Sequence, residues 1–111
     1  MFSLKHKVEL FVPSRTMDGT SIDESTRTSV KHSLGALFAS SFGGASVSEI
    51  LGFFKHASGA MATEQVSVVW SFVSDIDEVT RAMLEAKASE LKATLAQESV
   101  MFTIDGEAFL V

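Results

Sequence analysis

The chain has 111 residues, 46% hydrophobic and 21% charged, a composition typical of one globular domain with a single core. It contains no cysteine, which excludes disulfides, thiolate zinc sites and cysteine nucleophiles. The formal net charge is -5, from 14 acidic and 9 basic residues, and an acidic chain without a Lys/Arg cluster argues against nucleic-acid binding.

The N-terminal segment predicts a strand. In residues 4–12, apolar side chains alternate with Lys5, Lys7 and Glu9, and Pro13 ends the pattern. These charges also leave no signal-peptide core, and no apolar run approaches the roughly 20 residues of a membrane helix. We therefore expect a cytoplasmic protein without a membrane partner.

A helix follows the loop that contains Asp18-Gly19. Ser21 and Glu24 have the spacing of a capping box and predict its start, and Gly43-Gly44 predict its end. The apolar stripe of this helix is expected to consist of Val30, Leu34, Leu37, Phe38 and Phe42.

Two strands come next. Residues 45–56 predict the second strand, in which Gly52 is expected to mark a bulge. Residues 63–73 alternate most clearly and predict the third strand. Its core face is expected to carry Val66, Val68, Trp70 and Phe72, with Ser67 and Ser71 on the other face. Trp70 is accordingly interpreted as a core residue rather than a stacking platform.

The last third of the chain predicts a helix and a hairpin. Asp75 and Glu78 repeat the capping spacing, and apolar residues then recur at helical intervals as far as Leu95. Residues 99–104 predict a strand, Asp105-Gly106 a tight turn, and residues 107–111 the final strand.

This order of elements predicts an α+β, ferredoxin-like β-α-β-β-α-β fold with an extra C-terminal hairpin strand. Residues 1–111 would form a single domain, with two helices on one face of an antiparallel sheet of strand order 5-4-1-3-2. The predicted core comprises Val8, Leu10, Val12, Leu34, Leu37, Phe38, Val68, Trp70, Phe72, Leu91, Leu95 and Phe102.

The topology brings polar residues together at one edge of the sheet. The candidate ligand-binding residues there are Arg15, His56, Glu64, Gln97, Glu98 and Ser99. The favoured interpretation is architectural: Arg15 forms a salt bridge with Glu64 or Glu98, while Gln97 or Ser99 binds backbone groups. The alternative is a site for a small polar ligand.

Metal and covalent chemistry have no support in the sequence. His6, His32 and His56 lack partners at metal-ligand spacing, so we expect neither a metal site nor a cofactor. No serine lies in a nucleophile-elbow pattern. We therefore assign no catalytic residue.

The segment Gln97-Glu98-Ser99-Val100 resembles the most recognisable segment of a bacterial domain family of unknown function. The Asp18-Gly19 loop, residues 44–54 and Glu64 are similar to other parts of that family's pattern. Residues 8–14, VELFVPS, also resemble the first strand of small uncharacterised bacterial and mobile-element proteins. The sequence departs from the family at Gln65, where an Arg is usual, and at residues 53–54, where relatives place a Trp. The resemblance implies a small α+β fold.

Two functions remain open. The favoured one is a small non-enzymatic binding or protein-interaction module, a homodimer through the open sheet face; for a phage or mobile-element protein, its partner would be a host or defence protein. The candidate interface consists of Phe11, Val69, Val73 and Met101, with Phe53 or Phe54 beside them. The alternative is a small enzyme or polar-ligand-binding domain that uses the edge formed by Arg15, His56, Glu64 and Glu98.

Overall fold

The computed structural model describes residues 1–55 and 58–111 and has a single five-stranded antiparallel sheet with two helices on one face. In chain order its elements are β1 (His6–Val12), α1 (Glu24–Phe42), β2 (Ser46–Lys55), β3 (Met61–Val73), α2 (Glu78–Thr94), β4 (Met101–Ile104) and β5 (Glu107–Leu110). The strand order is β2-β3-β1-β4-β5. The predicted α+β fold is confirmed and is consistent with a ferredoxin-like arrangement. His56 lies outside the described residues.

Each helix begins after an aspartate that caps it. The Asp23 carboxylate accepts a hydrogen bond from the backbone N–H of Thr26 at 2.8 Å, and Asp77 caps α2 in the same way. The caps expected from the sequence lie two residues too early in both helices. For α1 the reason is that Ser21 pairs with Arg15 in an isolated β-bridge, which keeps its backbone extended. Neither helix in the described part of the chain is long and apolar enough to cross a membrane.

The helices cover the face of β1 that carries Val8, Leu10 and Val12. These three side chains are fully or almost fully buried, which confirms that prediction. Residues directly opposite in an antiparallel pair share a face, and Leu10 pairs with Val69. Val69 therefore also faces the helices.

The predicted faces of β3 are inverted. Val69 and Val73, expected at an open-face dimer interface, are buried in the helix-covered core, so that assignment is wrong. Trp70 and Phe72, expected in the core, lie on the open face instead, where Phe72 is 48% exposed. Lys7 lies beside them, with its Nζ 4.6 Å from the centre of the Trp70 ring.

Serine hydroxyls explain why the alternation was misleading. Ser71 Oγ donates to the carbonyl of Gly44 at 2.6 Å, and Ser67 Oγ donates to a Glu49 carboxylate oxygen at 2.7 Å. Both serines are buried, and these bonds offset the cost of burying their hydroxyls. Polar side chains in β3 therefore do not mark its solvent face.

Gly52 does not mark a bulge. The pairing of β2 with β3 continues without interruption from Ser46 opposite Trp70 to Lys55 opposite Met61. Gly52 has a different role, because a Cβ at this position would lie only 2.7 Å from the ring of Phe54. The missing side chain lets the Phe54 ring lie over the backbone of β2.

Two leucines test which surfaces are buried. Leu10→Ala should lower the free energy of unfolding by about 2–5 kcal/mol, because it leaves a cavity in the helix-covered core. Leu51→Ala, at a position that is 63% exposed, should change it by less than about 0.5 kcal/mol. Urea denaturation followed by circular dichroism measures both values, and similar losses in the two variants would contradict this assignment of the core.

Candidate functional site

Three chain segments meet at one edge of the sheet. β1 is antiparallel to both β3 and β4, so the end of β1 lies beside the starts of its two neighbours. Ser14 and Arg15 follow β1, Glu64 lies near the start of β3, and residues 97–99 precede β4. Hydrogen bonds join these segments, which confirms the convergence expected from the topology.

The Glu64 carboxylate is held by one of its two oxygens. Glu64 Oε2 accepts hydrogen bonds from the backbone N–H of Ser14 at 3.1 Å, from Ser14 Oγ at 3.2 Å, and from the backbone N–H of Arg15 at 3.1 Å. With three donors on Oε2, the other oxygen is the one that can receive a ligand. The carboxylate is therefore positioned before any ligand arrives.

Gln97 connects the end of α2 to the segment after β1. Its side-chain Nε2 donates to the carbonyl of Arg15 at 2.7 Å and to the carbonyl of Leu95 at 2.8 Å. The expected bond from Gln97 to backbone at this edge is confirmed. Both amide hydrogens are used in these two bonds, so the free side-chain atom of Gln97 is an acceptor.

The expected salt bridge of Arg15 is wrong. Arg15 contacts Glu64 through its backbone N–H, while its guanidinium donates to the carbonyl of Gly19 at 3.4 Å. Among the described residues, no carboxylate lies within 4 Å of that guanidinium. Glu98 is exposed and does not join the cluster.

The loop between β1 and α1 is ordered by Asp18. The hydroxyl of Thr16 and the backbone N–H of Thr20 both donate to the Asp18 carboxylate, and these bonds lower its pKa from the usual 3.8 to about 2. A further bond joins the N–H of Met17 to the carbonyl of Ala96 at 2.8 Å. The loop is thereby fixed both internally and against the end of α2.

A cleft of about 320 Å³ opens beside Glu64 on the open face of the sheet. This volume falls at the lower end of the roughly 300–1,000 Å³ of small-molecule sites. The cleft is mostly apolar, and its lining comprises Phe11, Pro13, Ile50, Gly52, Phe53, Phe54, Glu64, Val66, Gln97, Ser99, Val100, Met101 and Leu110.

The polar groups of the cleft offer negative charge and hydrogen-bond acceptors. Glu64 is the one ionisable side chain among the described lining residues, and it is half-buried. The free side-chain oxygens of Glu64 and Gln97 accept hydrogen bonds, whereas most of the remaining wall is apolar. A carboxylate in such surroundings attracts a cation more strongly than it would in water. The cleft therefore favours a ligand with a positive charge or N–H donors and an apolar body.

The predicted ligand-binding residues divide into three groups. Glu64, Gln97 and Ser99 line the cleft, and Arg15 positions Glu64 through its backbone. Glu98 lies outside the lining.

Two of the four residues predicted for a dimer interface also line this cleft. Phe11 and Met101 lie on the open face as expected, whereas Val69 and Val73 do not. A homodimer and a protein partner stay predictions.

Part of the apolar wall was missed in the sequence, because only Phe11, Met101 and Phe53 or Phe54 were expected on this face. The missed members from β2 and β3 are Ile50, Gly52 and Val66, and they meet because Gly52 pairs with Glu64 and Ile50 with Val66. Their even spacing was a usable signal, but it required the register between β2 and β3.

In the part of the chain that the structure describes, no group of three or more histidine or acidic side chains is placed to hold a metal ion.

Comparisons with known proteins identify structural neighbours of phage origin. No family model and no curated protein sequence matches this chain. A phage SAM lyase in complex with S-methyl-5'-thioadenosine is similar with a TM-score of 0.67 and 17% identity, over 96% of this chain and 88% of the other. A phage SAM lyase in the apo state is similar with a TM-score of 0.68 and 18% identity, over 100% of this chain and 94% of the other. At these identities the likeness shows a shared fold.

These neighbours correct the functional expectation. The favoured interpretation, a non-enzymatic interaction module, is contradicted because the solved structures of similar fold are enzymes, one of them with a bound small molecule. The cleft at Glu64 points the same way, since a cleft at this edge distinguishes a ligand site from a flat protein-binding surface. The alternative, a small enzyme or ligand-binding domain, is the better supported of the two.

The role of Gln97 in joining the end of α2 to the segment after β1 can be tested by comparison with Glu98. Gln97→Ala should lower the free energy of unfolding by about 1–3 kcal/mol, because the partly buried bond to the Leu95 carbonyl and the exposed bond to the Arg15 carbonyl are both lost. Glu98→Ala, at an exposed position, should change it by less than about 0.5 kcal/mol. Chemical denaturation checks both, and equal values would show that Gln97 does not connect the two segments.

The loop around Asp18 should respond to acid. Because its pKa is lowered on folding, the ionised carboxylate stabilises the loop above about pH 4, and this contribution is lost as the pH falls towards about 2. The amide resonance of Thr20 should therefore titrate with a midpoint near 2 in NMR spectra. Asp18→Asn should abolish this titration. A midpoint near 3.8 in the wild type would contradict the hydrogen-bonded loop.

Proposed function

We propose that this protein is a small enzyme that binds SAM (S-adenosylmethionine) in the cleft beside Glu64 and splits one of its carbon–sulfur bonds. The observation that carries the proposal is the carboxylate of Glu64, the one ionisable group of the described lining, in a mostly apolar cleft. SAM combines a sulfonium and an ammonium group with an apolar thioether and nucleoside body. The similarity in fold to phage SAM lyases supports the same choice of ligand.

The electron balance of the reaction decides what the protein must do. When the bond between the sulfonium and the amino-acid chain breaks, sulfur keeps the electron pair and becomes the neutral thioether of S-methyl-5'-thioadenosine. A lyase adds no water, so the carbon that loses sulfur must take a pair from within its own fragment. That pair comes either from the fragment's carboxylate, which closes a ring, or from a C–H bond on the carbon next to the one that loses sulfur, whose proton passes to solvent.

Glu64 acts on the amino-acid fragment rather than on sulfur. The positive charge leaves sulfur during the reaction, so a carboxylate placed against the sulfonium would stabilise the substrate more than the transition state. Against the amino-acid fragment, the free oxygen of Glu64 faces the ammonium group and the carbon at which positive charge develops. There it stabilises the transition state electrostatically, and the bonds from Ser14 and Arg15 hold it in place.

Conversion of SAM by the purified protein tests the proposal. Liquid chromatography with mass spectrometry should detect S-methyl-5'-thioadenosine together with a four-carbon fragment of homoserine composition less one water. In water labelled with heavy oxygen, neither product should take up the label. Uptake of the label would mean hydrolysis, and the absence of any thioadenosine product would overturn the proposed function.

A matched pair of variants tests the role of Glu64. Glu64→Gln should lower kcat/KM by about a hundredfold or more, because it removes the charge while its amide oxygen can still accept from Ser14 and Arg15. Glu98→Gln makes the same chemical change at an exposed position and should retain activity. Equal activity of the two variants would exclude Glu64 as the catalytic residue.

A further inference from the structure

The Phe54 side chain lies on the open face of β2 with one part against the sheet and another part free. The nearest atoms to a Cβ built on Gly52 are Cε2 and Cζ of Phe54, at 2.7 and 2.9 Å, followed by Cγ2 of Val66 at 3.4 Å. The outer end of the ring therefore rests on the Gly52 backbone beside Val66. Phe54 is nevertheless 46% exposed, so much of its ring is available to a ligand.

We propose that Phe54 recognises the nucleobase of the ligand by stacking, and that Gly52 is the positioning residue that holds the ring in place. The inference rests on the proposed function and adds which side chain selects the adenine part of the substrate. Aromatic rings bind nucleobases through their flat faces, and this contact needs no charge. Stacking on the base suits the apolar wall of the cleft, because the positively charged end of SAM binds at Glu64 and leaves that wall free.

The position of Phe54 relative to Glu64 supports this division. Gly52 pairs directly with Glu64 across β2 and β3, and both residues line the cleft. The ring that covers Gly52 therefore lies next to the one charged side chain of the described lining. A ligand with a flat apolar end and a positively charged end can contact both residues at once.

Other aromatic residues on the open face fit the role less well. Phe11 also lines the cleft, but it lies on the central strand β1 and is half-buried among its neighbours. Phe72 is as exposed as Phe54, at 48%, but it lies ten residues along β3 from Ala62, the partner of Phe54. At about 3.3 Å per residue this separation is roughly 33 Å. Phe72 is therefore a control of the same chemistry outside the cleft.

Binding of S-methyl-5'-thioadenosine measured by calorimetry tests the proposal. Phe54→Leu keeps an apolar side chain but removes the flat ring, and it should weaken binding about 5- to 100-fold. Gly52→Ala leaves the ring intact but forces it to move, so binding should weaken in the same direction. Phe54→Trp keeps a flat aromatic ring and should bind about as tightly as the wild type. Phe72→Leu should also bind like the wild type.

Turnover of SAM separates recognition from a general loss of structure. Phe54→Leu should raise KM more than it lowers kcat, because stacking on the base is equally strong in the substrate and in the transition state. Glu64→Gln should show the opposite, a low kcat with thioadenosine binding retained.

The failures are distinguishable. A wild-type protein that neither binds S-methyl-5'-thioadenosine nor converts SAM overturns the proposed function and this inference together. A wild-type protein that does both, with Phe54→Leu and Gly52→Ala unchanged in binding, overturns the inference alone. Equal weakening by Phe72→Leu would show that the loss does not arise at the cleft, and this result also overturns the inference.

Discussion

The pairing of Leu10 with Val69 across the two central strands decides which side of the sheet faces the helices. Because side chains alternate along a strand, this one register fixes the face on which each remaining residue of β1 and β3 lies. A shift by one residue would place Trp70 under the helices and turn Glu64 away from the open face. The candidate cleft forms on that face because Phe11 of β1 and Glu64 and Val66 of β3 alternate with the residues that the helices cover.

The fold was predictable because its local signals agree with one another. Charged residues in β1 separate the apolar ones cleanly, and Pro13 and Gly43 end their elements where expected. The faces of β3 were not predictable in the same way, since valines occupy both of its sides. The serines were the remaining signal, and they pointed to the wrong face because Ser67 and Ser71 find hydrogen-bond partners inside.

The candidate site was predictable to the level of chain segments. Topology alone brings Glu64 and Gln97 to one edge, and both line the cleft. The hydrogen bonds of these side chains were harder to predict. Glu64 accepts from backbone N–H groups, and because every residue but proline carries one, such donors leave no signal in the sequence. The guanidinium of Arg15 was the obvious partner by charge, yet it bonds within its own loop. The role of Gly52 was hidden because glycine permits both bulges and close contacts.

The bonds that assemble this edge have a consequence for folding kinetics. Ser14 and Glu64 are 50 residues apart in the chain, and Arg15 and Gln97 are 82 apart. Contacts of such long range carry a large loop-closure entropy and form after local helices and hairpins. The edge should therefore be unformed in the folding transition state, with φ-values near zero at Glu64 and Gln97. Changes at these positions would then act on the unfolding rate, so the lifetime of the native state would depend on the same contacts that shape the cleft.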